Sequence, residues 1–321
     1  MTGAGSDNRL RGKLVVLLGG SGFFGSHLAQ ELLSRGARLR IASRHPKRAY
    51  RLKPLGDLGQ VQFASCNVTD AAQLRRTLAG ADAVVNLVGA FAGDLNALQG
   101  AGTGAIAAAA RDAGVTAFVH ISALGADAAS PTLYARTKAL GESAVRAAFP
   151  KATILRPSVL FGPDDKFINM FAGLIAAFPA LPVFGPQAQL QPLFVSDAAA
   201  AAANALADPA KHGGKIYEIA GPEPITMRDL NQRIAAAQGR ERVFVSLPDF
   251  ISGAFAVATG WLPGAPLSRD QWLLLRAGNT LSGKLPGLKA LGITPQPLEL
   301  FLNRWMVRFR KHGRFGTGSR A

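Results

Sequence analysis

The sequence predicts an α/β fold, a doubly wound parallel sheet with a smaller interleaved C-terminal region. Three observations predict it: an apolar run that breaks into glycines near the start, a regular succession of strand and helix patterns behind it, and a change of texture after residue 161. Leu14 to Leu18 has the length and composition of a strand buried on both faces. Glycines follow at Gly19, Gly20, Gly22 and Gly25, and then a helix with an apolar stripe at Phe24, Leu28, Leu32 and Leu33. Gly19 permits the tight turn, Gly22 lets a backbone approach a pyrophosphate, and Gly25 lets helix pack on strand. The helix N-terminus adds amide donors and the positive end of a dipole, so the expected ligand is a dinucleotide.

The second strand, Arg38 to Arg44, decides which dinucleotide. An acid at its end would bond the ribose hydroxyls of NAD, whereas a guanidinium there suits a 2′-phosphate. The chain offers Ser43 and Arg44, then Lys47 and Arg48, with no acid between Glu31 and Asp57. The expected cofactor is NADPH/NADP, with NAD disfavoured. Further strands are expected at Val61 to Ser65, Ala83 to Val88, Ala117 to Ser122 and Thr153 to Pro157, alternating with helices through Leu74 and Leu78, from Gly102 to Ala113 and from Tyr134 to Ala148. From Gly162 proline and aromatic residues increase, and sheet-like sequence returns at Leu193 to Val195 and Ile216 to Ile219. The expected division is 1–161 for a nucleotide-binding domain, with later strands returning near 193–220, and 162–321 for a region that covers substrate and faces a partner or membrane.

At 321 residues, with 48% hydrophobic and 17% charged residues, the chain has the makeup of a globular protein with a large core. Cys66 is the single cysteine, which excludes an internal disulfide, fits a reducing cytoplasm and reads as a small core residue. Met1 to Asn8 carries no apolar segment of a secretory signal or organelle-targeting peptide. Phe167 to Gly185 is interrupted by Pro179 and Pro182, and Phe250 to Leu262 is too short, so no spanning helix is expected. The expected location is cytoplasmic, or peripheral on the cytoplasmic face of the inner membrane.

The formal charge of +16 asks for a partner or a surface. After Glu299 there is no acid, while Arg304, Arg308, Arg310, Lys311, Arg314 and Arg320 interleave with Leu300, Phe301, Trp305, Met306 and Phe309. Two readings stay open: a basic amphipathic helix lying on an anionic membrane or acidic partner, and a terminal helix packing its aromatic face on its own domain. No motif supports nucleic acid.

Tyr134 and Lys138 stand four apart on one helix face, an arrangement in which a cation lowers the pKa of a phenol that exchanges a proton with a carbonyl or alcohol. The five histidines show no metal-ligand spacing, and no metal site is expected. Asp164, Asp165 and Asp197 suit turns and helix caps. Trp261, Trp272 and Trp305 read as core or interface anchors.

The order Gly19-x-x-Gly22-x-x-Gly25, Asn67-Val68-Thr69-Asp70, Asn86-Leu87-Val88-Gly89, His120 to Gly125 with Ser122, Tyr134-x-x-x-Lys138, Leu155-Arg156-Pro157 and Phe194 to Asp197 resembles the short-chain dehydrogenase/reductase superfamily in its extended or atypical branch, a Rossmann-type family. Tyr134 to Glu142, Ala148 to Pro150, Phe161 to Asn169 and Leu291 to Pro295 are similar to the family of NADPH-binding accessory subunits, number nine of the alpha subcomplex, of respiratory complex I, NADH:ubiquinone oxidoreductase. The likeness runs from Lys13 to about Phe315, and without a targeting peptide it implies a bacterial relative.

The resemblance implies a nucleotide held for structure, complex I subunits and a membrane surface as partners, and a basic C-terminal helix facing them. It implies Tyr134, Lys138 and Ser122 as catalytic residues. Cofactor contacts would come from Gly19, Ser21, Gly22, Phe23, Phe24, Gly25, Ser43, Arg44, Asn67, Val68, Leu87, Val88, Gly89, Tyr134, Lys138 and Pro157. One departure concerns catalysis: active members carry Ser or Thr immediately after the position of Ser122, where this chain has Ala123. A missing donor of this kind costs about 3 kcal/mol of transition-state stabilisation.

Three functions follow: an accessory or assembly component of a quinone-reducing complex, an NADPH-dependent reductase of a hydrophobic quinone-, steroid- or isoprenoid-like carbonyl with Phe167, Met170, Phe171, Leu174 and Phe184 lining its pocket, or a sensor of the NADPH/NADP ratio.

Overall fold

Six apolar segments form parallel strands because each is flanked by a helix that returns the chain to the same edge. They are β1 (Leu14–Leu18), β2 (Arg38–Ser43), β3 (Val61–Ser65), β4 (Ala83–Asn86), β5 (Ala117–Ile121) and β6 (Thr153–Pro157). A seventh strand, Ile216–Ile219, pairs with β6 on its outer side, so the sheet reads Ile216–Ile219, β6, β5, β4, β1, β2, β3, all parallel. The computed structural model describes residues 8–259, 268–311 and 313. Trp261, His312, Arg314, Arg320 and the N-terminal segment up to residue 7 lie outside the described residues, so the expectations placed on them are not addressed by the structure.

Helices α1 (Phe23–Ser34), α2 (Ala71–Leu78), α3 (Leu95–Gln99), α4 (Gly102–Asp112) and α5 (Leu133–Ala148) connect the strands. Every residue of β1 and β5 is buried, which is why β1 reads as an unbroken apolar run and β5 as one interrupted only by His120. One core cluster joins Val16, Val84 and Phe118 of the sheet to Leu74, Leu78, Ile106 and Val145 of the helices. Cys66 lies within it, and burial pushes its thiol pKa up, so the sulfur is unreactive packing. The alanine-rich helix Val195–Ala207 packs on α1 through side chains small enough for close approach.

The chain forms two units. One comprises 1–157, 195–219 and 282–294, and the other 158–194, 220–281 and 295–321. In the second unit, Ile168, Ile175, Leu230, Ile234, Leu302 and Met306 build a separate core. Two strands of that unit are brief: Leu193–Phe194 pairs with Leu160–Phe161, and the chain turns into helix at Val195, one residue short of the expected strand end.

The C-terminal segment differs from a long amphipathic helix. It is a seven-residue α-helix, Glu299–Trp305, followed by the 3₁₀ turn Met306–Phe309. Phe301 stacks on Phe194 at 4.0 Å and on Trp305 at 4.9 Å, and Trp305 and Phe309 pack on the core of their own unit. Arg310 donates to the Ala237 carbonyl at 3.1 Å. The aromatic face is thus engaged inside the molecule, while Arg304 and Leu300 remain exposed. No helix among the described residues is long and apolar enough to cross a membrane.

Candidate functional site

The strand order reverses beside β1, whose neighbours are β2 and β4. Ligands of open α/β sheets bind at the carboxyl ends of the strands next to such a reversal, and the residues expected for nucleotide binding stand at those ends. Gly19 leaves β1 at φ +81°, a conformation costly for any side chain. Its amide donates to the Ala42 carbonyl at 2.8 Å. A Cβ on Gly25 would lie 2.6 Å from the Gly20 backbone, so that glycine is fixed by contact between helix and turn.

Gly22 differs from both. It caps α1 in extended backbone with no side-chain capping bond, and a Cβ there would meet only the Gly19 carbonyl oxygen, at 3.6 Å. No protein atom forbids a side chain at this point. The space is what a phosphate over the first amides of α1 would need. Ser21, Phe23 and Phe24 are half-buried around it, and Phe23 packs edge-on to His27 at 5.2 Å.

At the tip of β2 the Ser43 hydroxyl is enclosed and has no hydrogen-bond partner among the described residues, and an enclosed hydroxyl without a partner is an incomplete site. Arg44 beside it is exposed, as are Lys47 and Arg48. Asn67 turns its side-chain oxygen to the Thr69 amide and hydroxyl, and Asp70 then caps α2 through Ala72 and Gln73, so this stretch is a turn. Val68 packs partly on the sheet core. After β4, the Leu87 amide donates to Leu18, the Val88 amide to the Asn86 side chain at 3.1 Å, and Gly89 lies close to Lys138 and Gln99, so that an added Cβ would stand 3.4 Å from Nζ and 3.7 Å from Oε1. Pro157 is buried at the end of β6, its carbonyl accepting from Leu124. The open Gly22 and the Ser43 hydroxyl without a partner among the described residues both fit a dinucleotide.

The catalytic expectations fare differently. Lys138 is buried, donates to the Ile121 carbonyl at 3.1 Å and lies 5.9 Å from the centre of the Tyr134 ring. Burial lowers its pKa to about 8, with Glu142 working in the opposite direction. The expected downward shift of the Tyr134 phenol does not occur: burial raises it to about 12. The Tyr134 ring is covered by Phe91, stacked at 4.6 Å and 11°. The buried Ser122 hydroxyl donates to Glu142 at 2.5 Å. Glu142 takes two further bonds from Arg156, at 2.8 and 2.7 Å, and Arg156 faces Glu218 at 3.8 Å. Glu218 in turn accepts from the Ser282 amide and hydroxyl.

Phe91 and Gln99 were not singled out from the sequence, and Glu142 and Arg156 stood in quoted motifs without a role of their own. Buried Gln99 accepts from the Ala90 amide and donates to Thr137, fastening the loop after β4 to α5. For Glu142 a signal existed, since Tyr134, Lys138 and Glu142 repeat at four-residue spacing along one face of α5. No cluster of potential metal ligands occurs among the described residues.

Of the residues expected to line a hydrophobic pocket, Met170 and Leu174 are exposed, Phe167 and Phe171 pack partly on the core of the second unit, and Phe184 packs partly near Ala256 and Trp272.

The description "NAD dependent epimerase/dehydratase family" matches residues 15–220. The chain is 32% identical over 308 residues, 93% of its length and 81% of the other, to NADH dehydrogenase [ubiquinone] 1 alpha subcomplex subunit 9, mitochondrial, of Mus musculus. It is 32% identical over 191 residues, 58% of this chain and 59% of the other, to a ceramide reductase of Caulobacter vibrioides. Among solved structures, Citrobacter sp. triphenylmethane reductase complexed with NADP(H) superposes with a TM-score of 0.72 at 19% identity, over 91% of this chain and 99% of that one. With a seven-stranded parallel sheet, a glycine cradle at the reversal of strand order and a match over most of the sheet, the chain belongs to the NAD dependent epimerase/dehydratase family of NAD(P)-binding proteins.

Proposed function

We propose that this protein holds NADP(H) as a structural nucleotide and serves as an accessory or assembly component of a respiratory complex I. One observation carries the reading: the dinucleotide cradle stands beside a serine whose proton is already committed to a buried glutamate. The Ser122 hydroxyl is bonded to Glu142, Ala123 follows it, and the Tyr134 phenol is raised to about 12 beneath Phe91. The likeness to the complex I subunit over 93% of the chain supports the choice of assembly, and the +16 charge suits a peripheral site on an anionic membrane face.

The reduced nucleotide could supply a hydride to an acceptor; in the structural role it would be held without turning over. The residues of this chain bind and orient it: the amides of α1 the diphosphate, Arg44 and Ser43 the adenine-ribose phosphate, and Lys138 the nicotinamide ribose. Mass spectrometry of nucleotide released from freshly purified protein tests the reading. Near one NADP(H) per chain, no NADPH oxidation across a carbonyl panel, and co-purification with detergent-solubilised complex I are the expected results; rapid exchange with turnover overturns it. In Arg44→Asp the affinity for NADP(H) falls, and an unchanged affinity removes the 2′-phosphate assignment.

A second reading, an NADPH-dependent reductase of a hydrophobic carbonyl, is favoured by the retained Tyr134 and Lys138 on one helix face and by the likeness to a ceramide reductase. NADPH oxidation that vanishes in Tyr134→Phe selects it.

A further inference from the structure

We propose that Arg51 is a second ligand for the 2′-phosphate and sets the preference for NADP(H) together with Arg44; this rests on the NADP(H) reading above. After β2 the chain does not enter a loop. It forms a ten-residue 3₁₀ segment, Pro46–Leu55, which places Arg51 against the first turn of α1. The Arg51 guanidinium donates to the Ser26 hydroxyl at 2.7 Å, and that hydroxyl donates to the Gly22 carbonyl at 2.9 Å. Gly22 is the N-cap of α1, where an added Cβ would meet only the Gly19 carbonyl oxygen. A relay of two bonds thus ties a cation to the backbone of the cradle.

The placement is held on both sides in sequence. Ala49 and Leu52 are buried, and Tyr50 packs edge-on to Phe63 of β3 at 5.0 Å. Ser26 is a neutral acceptor, and Arg51 makes no ion pair among the described residues. A guanidinium carries five N–H donors in a planar fork suited to phosphate, and the single bond to Ser26 leaves the others for a ligand. The nearest acids in sequence are Glu31 and Asp57, and Glu31 is bonded to Arg35.

Two features favour the 2′-phosphate over the diphosphate. Arg51 arrives from the segment that leaves the tip of β2, the ribose side, where the Ser43 hydroxyl lacks a partner. The diphosphate already has the amides of α1.

The test is calorimetric titration of the intact protein and of Arg51→Met, Arg51→Lys and Ser26→Ala with NADP⁺, NAD⁺, 2′,5′-ADP and ADP. Arg51→Met is expected to weaken NADP⁺ and 2′,5′-ADP by about 10- to 100-fold and to leave NAD⁺ and ADP within about twofold. Arg51→Lys should restore part of the loss, and Ser26→Ala should show a smaller loss of the same selectivity. Equal weakening of NAD⁺ and NADP⁺ overturns the proposal, because it assigns Arg51 to the diphosphate or to folding. A preference for NADP⁺ that survives Arg51→Met also overturns it, leaving Arg44 as the reader. An intact protein without preference between the two nucleotides overturns the NADP(H) reading and this proposal with it.

Discussion

Three glycines in one turn have three different causes, and substitution separates them. Gly22→Ala meets no obstacle within the protein, so the melting temperature should stay within about 2 °C while nucleotide affinity falls at least about tenfold, or 1.4 kcal/mol. Gly25→Ala forces a Cβ onto the Gly20 backbone and should lose both fold stability and affinity, by about 2 kcal/mol or more in stability. Thermal melts beside nucleotide titration check the pair; equal destabilisation by both variants would contradict the distinction. The pattern of glycines was legible in the sequence because the turn is local. Ser122 was not, because its acceptor, Glu142, lies twenty positions away on α5 and only folding brings them together. Removing the donor leaves a buried carboxylate one bond short. Ser122→Ala is therefore expected to cost about 2 kcal/mol in urea denaturation with nucleotide affinity retained.

At the scale of elements, α5 and the ends of β5 and β6 form one buried electrostatic unit. Glu142 and Glu218 are nearly inaccessible, with Arg156 between them and Lys138 one turn from Glu142. Arg156→Met leaves two carboxylates without their cation and should destabilise by about 3 kcal/mol or more, with loss of nucleotide retention as Lys138 shifts. His120 adds a dependence on pH. Its Nδ1 pairs with the Asn86 side-chain amide at 3.2 Å, its Nε2 has no partner among the described residues, and burial lowers its pKa to about 3. The unfolded chain takes up this proton at about pH 6.5, the folded chain only near pH 3, so its contribution to stability is full above 6.5 and declines as pH falls from there toward 3. Denaturation midpoints from pH 7 to 4 should fall less in His120→Gln than in the intact protein. Strands β1, β4, β5 and β6 were readable because burial on both faces favours apolar runs, broken only at Asn86, His120, Thr153 and Arg156. Pro46–Leu55 was not, since it buries only Ala49 and Leu52 and shows no helical stripe. The same local blindness applies to Leu193 to Val195, where only Leu193 and Phe194 find strand partners before the alanine run takes over as helix.

At the scale of the whole chain, five crossings join the two units, at 157/158, 194/195, 219/220, 281/282 and 294/295. The nucleotide-binding sheet is consequently not encoded by the first half alone. Residues 1–161 contain six of its seven strands, yet the strand Ile216–Ile219 that covers the outer edge of β6 comes later, as do helix Val195–Ala207 on α1 and the Ser282 bonds that hold Glu218 near Arg156. A fragment ending at 161 would leave Ile154 and Leu155, both fully buried in the intact protein, on an open strand edge. It would also leave Arg156 without one of its two carboxylates and remove the helix that covers one face of the sheet. Each loss is of the order of a few kcal/mol, and together they approach the whole stability of a domain of this size. The fragment 1–161 is therefore expected to melt without a cooperative transition, to aggregate through β6, and to retain no nucleotide. Circular dichroism with size-exclusion chromatography checks this. A monomeric fragment with a sharp transition and bound NADP(H) would mean that the later strand and helix are additions to an autonomous fold, and that the nucleotide site needs nothing from beyond its own six strands.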